Sequence, residues 1–158
     1  MTKLRRPADT LGDCMWLPRF IDKCRLHHAG ALPADFQAPF CSPFGIDGIF
    51  LQHFALTKDE MLAAVGAAAD DAAVAAWLAS RGTFTAEKIA AWNALAPQIG
   101  KPGFPGEKGF AWARRHLYAA CTDPRVDSGF TAIAWDEGFL DEIAPRAPAA
   151  DDRAAQPQ

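Results

Sequence analysis

The chain has 158 residues, of which 50% are hydrophobic and 22% charged, with a formal net charge of -3. That length suits one domain with a real core, and the longest apolar stretches, such as AAVAAWLA at 72–79, fall well short of the ~20 residues a membrane span needs. Charge is uneven: residues 1–30 and 101–125 are each net +3, whereas 31–100 and 126–158 are net -4 and -5. The basic and acidic stretches are therefore expected to meet on folding, and the basic excess is too small for a nucleic-acid footprint.

Residues 1–13 read as an extended or loosely docked arm, because Pro7 and Gly12 bracket a stretch without apolar periodicity. A helix is predicted from near Pro18, whose missing donor costs little in a first turn, to Gly30. Its stripe is Leu17, Phe20, Ile21, Cys24 and His28, with Arg19, Asp22 and Lys23 assigned to the opposite side. Prolines 33, 39 and 43 exclude a continuous helix over 31–48, and Phe36, Phe40 and Phe44 are expected to pin that loop onto the core. Asp47 is placed as the cap of a short helix carrying Phe50, Leu51 and Phe54.

Thr57 and Glu60 form a capping-box pattern ahead of Met61, Leu62 and Val65. Asp70 and Asp71 precede a helix with Val74, Trp77 and Leu78 on one face, ended by Gly82. The next starts at Thr85, carries Ile89, Trp92 and Ala96, and stops at Pro97. After the loop GKPGFPGEKG, a helix from Glu107 or Lys108 is expected to turn Phe110, Ala113, Leu117 and Cys121 inward and to end at Asp123-Pro124. A last one carries Phe130 and Ile133 toward Gly138. Strand signals are weak, so the expected class is all-α: five to seven short helices in one compact domain over 14–144, with Pro/Gly-rich loops and a disordered tail over 145–158.

Taken in order, WLPRFIDKCR, LPADF, FLQHFALTKDEMLAAV, AAVAAWLASR, KIAAWN and WDEG resemble a bacterial family described as domain of unknown function 5069, over roughly residues 7–140. The resemblance rests on an Arg-x-x-Asp-Lys-x-Arg core near the start and an Asp-Glu-Gly near the end. Arg19, Asp22, Lys23 and Arg25 fall on the first, and Asp136, Glu137 and Gly138 on the second. It implies a small helical fold and carries no reaction.

The charged cluster of the first helix is the main candidate site. Asp22 lies three residues from both Arg19 and Arg25, and ion pairing is the plainer reading of that spacing. The sharper one puts Arg25 at the edge of the apolar stripe, partly buried, where it needs a carboxylate such as Asp136 or Glu137. Such an arginine fork also suits a carboxylate or phosphate ligand. Cys14, Cys24, His27, His28 and Cys41 lack metal-ligand spacing, and His28 reads as a core histidine. No nucleophile elbow or phosphate loop is present, and no cofactor is implied. The expected function is a cytoplasmic binding or protein-interaction module for a small anionic ligand or a protein partner, without nucleic acid or membrane. The alternative is an enzyme on a small anionic substrate, with an arginine holding the anion and Asp136, Glu137 or His28 as acid or base.

Overall fold

The computed structural model describes residues 3–146, so the expected tail over 145–158 lies outside them beyond Arg146. Among the described residues the chain is helical, with nine α-helices and one two-stranded hairpin. Helices α1 (Leu17–His28), α2 (Ala34–Gln37), α3 (Ile46–His53), α4 (Lys58–Ala67) and α5 (Asp71–Ser80) come first. They are followed by α6 (Ala86–Leu95), α7 (Glu107–His116), α8 (Gly129–Asp136) and α9 (Leu140–Ile143). The count exceeds five to seven because α2 and α9 are single turns of four residues, too short to leave a periodic signal.

Local chemistry sets most helix boundaries. Thr57, Asp70 and Thr85 each accept a hydrogen bond from the backbone N–H three residues on, satisfying a donor that the first turn leaves free. Ser128 does the same for α8, completed by Thr131 reaching back. Beyond α1, Ala31 N–H bonds Leu26 O and Gly30 N–H bonds His27 O, closing the helix by a left-handed residue at Gly30. Helix α7 stops at His116, short of the expected Asp123-Pro124, where Ala113 O accepts from both Leu117 N–H and Tyr118 N–H and the second, five-residue bond breaks the regular ladder.

A hairpin was not expected. Strands β1 (Thr10–Leu11) and β2 (Cys14–Met15) pair antiparallel around Gly12 and Asp13, both left-handed with φ of 55° and 62°. This is a two-residue turn matched to strand twist, and strands of two residues show no alternation to read. The stretch before it is firmly docked, contrary to the loose arm: Leu4 and Pro7 are buried, Arg5 pairs with Asp22 and Asp71, and Arg6 pairs with Glu142. Basic residues of 1–30 thus meet acidic residues of the rest, as the charge distribution implied.

Phe50 of α3 sits at the centre of the core, edge-on to Phe20 at 5.5 Å and to Trp92 at 5.1 Å. Such pairs add to the burial of aromatic area that dominates cores of this kind. Helix α1 packs mainly on α4 and is buried on nearly all sides from Leu17 to Cys24, Asp22 alone being partly open. No helix among the described residues is long and apolar enough to cross a membrane.

Candidate functional site

The side of α1 that sequence polarity assigns to water is roofed. Arg19 is 1% exposed and Lys23 is 4% exposed, and both face a pocket of about 550 Å³ enclosed by α1, the 33–47 stretch, α7 and α8. At four residues apart they occupy one face of the helix, one above the other. Burial of two cations demands partners, and each has a carboxylate brought from far along the chain.

Lys23 Nζ lies 2.5 Å from Asp47 Oδ2. Asp47 was expected to cap α3, but the capping position falls on Gly45 and the Asp47 side chain turns inward instead. It accepts from Trp16 Nε1 at 2.8 Å and from Cys41 N–H at 3.2 Å in addition to Lys23. Trp16 occupies a left-handed conformation, φ 71° and ψ -27°, which costs a bulky residue roughly 1–3 kcal/mol. It is held there by the Asp47 bond, by its own N–H donating to Pro7 O, and by stacking on Phe130 at 5.8 Å. The result is a fixed wall: the indole stands 5.1 Å from Lys23 Nζ and 5.7 Å from the Arg19 guanidinium.

Arg19 donates from Nη1 to Arg5 O at 3.0 Å and to Glu137 Oε1 at 3.2 Å, while Nη2 is 2.8 Å from Glu137 Oε2. This two-point fork is geometrically specific. Glu137 closes α8, and Gly138 after it adopts φ 82°, letting Phe139 N–H return to Ala134 O. The Asp-Glu-Gly sequence therefore does two jobs: glycine turns the chain, and the turn aims Glu137 at Arg19.

Asp136, one residue earlier, lines the pocket itself with Asp35 and Tyr118. Burial, then the charges of Glu137 and Asp35, hold the Asp136 carboxyl above its ordinary range against the pull of Arg19. Burial also pushes the Tyr118 phenol up to about 12, helped by Asp136, Glu137 and Asp35. Tyr118 is the only tyrosine of the chain. A spectrophotometric titration is expected to show tyrosinate forming near pH 12, and a midpoint near 10 would refute its burial. Because the folded value is raised, this contribution to stability is whole below pH 10 and is lost as pH rises toward 12.

Apolar side chains complete the walls: Phe36, Ile46, Ile99, Phe110, Leu117 and Ile133. At the mouth Phe44 is 63% and Trp112 40% exposed, and none of the residues of α7 is fully buried.

A family model described as a domain of unknown function, DUF5069, matches residues 1–139. The chain belongs to the DUF5069 family. No curated protein matches it.

Within this DUF5069 chain the sequence-predicted residues divide. Arg19, Lys23 and Asp136 line the pocket, and Glu137 sits behind Arg19. Arg25 is not the guanidinium at the seam: it is 42% exposed and pairs with Asp71 at 2.9 Å, because it points toward α5. Asp22 meets neither neighbouring arginine among the described residues and is held by Arg5. His28 is exposed at the end of α1, its Nε2 2.7 Å from Leu62 O, and is not a core histidine. Trp16, Asp35, Asp47, Lys108 and Tyr118 are among the pocket residues that sequence reasoning did not place there. Among the described residues no three His, Cys, Asp or Glu side chains gather as a metal set.

Proposed function

We propose that this protein binds a small molecule with an apolar body and an acidic oxygen group, a carboxylate being the simplest, in the pocket between α1 and α7. The observation that carries this reading is Lys23. Its ammonium has three donors and is nearly buried, and among the described residues Asp47 is the one carboxylate it pairs with. Asp47 is meanwhile shared with two neutral donors. Donor capacity therefore remains, facing an apolar-walled pocket of a size suited to small ligands. A purely structural ion pair needs no such space beside it.

An enzyme acting on the same ligand is a second reading, favoured by Asp136, whose carboxyl binds its proton more firmly than usual beside the pocket. All four cysteines are free thiols, which suits the reducing environment of a cytoplasm.

A thermal-shift series with apolar monocarboxylates tests the binding reading. A ligand at 100 times its dissociation constant adds ~2.7 kcal/mol, or roughly 5–10 °C in a domain of this size. Lys23→Met is expected to abolish the shift. If no acid raises the melting temperature, and no pocket resonance moves in NMR spectra recorded with the same acids, the reading fails.

A further inference from the structure

The charges around the pocket are balanced and unevenly used. Its lining holds Arg19, Lys23 and Lys108 against Asp35, Asp47 and Asp136. At the floor, Lys23 and Asp47 pair, and Lys23 keeps donor capacity. At the α2 and α8 side, Asp35 and Asp136 form no salt bridge among the described residues, and Asp136 feels both Asp35 and Glu137 as like charges. The Arg19–Glu137 pair stands beside them, with the guanidinium already occupied by two carboxylate oxygens and a carbonyl. One region thus has hydrogen-bond donors to spare, and the other has two solvent-exposed carboxylates that form no salt bridge among the described residues and whose neighbouring cation, Arg19, is already occupied.

A simple anion satisfies the first region and is repelled by the second. A doubly charged phosphate is worse placed, since the lining carries no net positive charge to offset it. A molecule with a carboxylate and an ammonium satisfies both, and its apolar part finds Phe36, Phe44 and Trp112. We infer that the ligand is an amphipathic zwitterion, its carboxylate on Lys23 and its ammonium between Asp136 and Asp35; an α-amino acid with a large apolar side chain is the smallest molecule meeting all three demands. This rests on the binding reading above and goes further by naming the second charge.

The 158-residue chain titrated calorimetrically with L-phenylalanine, hydrocinnamate and phenethylamine tests it, since these share one apolar body and differ only in the charged groups. L-phenylalanine is expected to bind at least ~10-fold more tightly than either analogue, the order of a partly exposed charge contact. Asp136→Asn is expected to bring the ratio of phenylalanine to hydrocinnamate affinity near one. Asp35→Asn should reduce the same ratio, which keeps the test decisive should the first variant fold poorly. Hydrocinnamate binding as tightly as phenylalanine would overturn the zwitterion and leave the acid-binding reading standing. Phenethylamine binding as tightly would remove the role of Lys23 and overturn both. Binding of other carboxylates with none of phenylalanine would overturn the zwitterion alone.

Discussion

Asp47→Ala is expected to destabilise the protein by about 3–5 kcal/mol, the cost of stripping one partner from a buried ion pair. The carboxylate is 1% exposed and serves three donors at once: Lys23 Nζ, Trp16 Nε1 and Cys41 N–H. Its removal leaves an ammonium and two N–H groups without their acceptor, and the strained backbone of Trp16 loses a bond that holds it. Chemical denaturation measures the loss directly, and thermal unfolding should fall by roughly 10 °C. Lys23→Met should cost less, because Asp47 keeps its two neutral donors while the apolar stem is retained. In the double variant the buried ammonium is gone, so the two costs should not add. A loss below ~1 kcal/mol for Asp47→Ala would mean that water reaches the pair freely, as it does at surface salt bridges.

The same residue shows where sequence reading stops. Thr57, Asp70, Thr85, Gly30 and Gly138 act on backbone groups within a few residues of themselves, so their pattern predicts helix ends that the structure reproduces. Asp47 has the residue type and loop context of a cap as well, but its carboxylate is drawn to a cation 24 positions away in the chain. No local rule contains that choice.

Arg19 shows the same limit from the other side. Amphipathic periodicity equates charge with exposure, which holds for Arg25 and fails for Arg19 and Lys23, because the aromatic loop after α1 and helices α7 and α8 cover that flank. The device expected for Arg25, a guanidinium buried against Asp136 or Glu137, is present at Arg19, earlier in the same helix. The family-like pieces RFIDKCR and DEG thus meet across 118 positions as the Arg19–Glu137 fork. Tyr118 and Asp35 lie outside regular helix or in a single turn, where neither periodicity nor capping marks them.

Gly48→Ala should also destabilise, by at least ~2 kcal/mol, although alanine is favoured over glycine inside a helix by up to ~1 kcal/mol. Space decides the sign. A Cβ at Gly48 would stand 2.0 Å from Ser42 O and 2.7 Å from Pro43 Cα, and backbone cannot swing aside as a long side chain does. Ser42 O also accepts from Gly45 N–H, so moving it opens the turn that leads into α3 and Asp47. Gly109 presses on the same loop from α7, with a Cβ there falling 2.0 Å from Phe44 O. The 42–45 turn is therefore wedged between two helices that approach it only because both present glycine. The consequences differ, since α3 belongs to the core and α7 has no fully buried residue. Gly109→Ala is expected to leave global stability within ~1 kcal/mol, the gain in helix propensity offsetting part of the clash, while hydrogen exchange accelerates over 104–118 and pocket binding weakens. Gly48→Ala should instead accelerate exchange throughout. A Gly48→Ala protein more stable than the parent would show that the loop yields freely, and the pocket wall would then not be the rigid feature on which ligand discrimination depends.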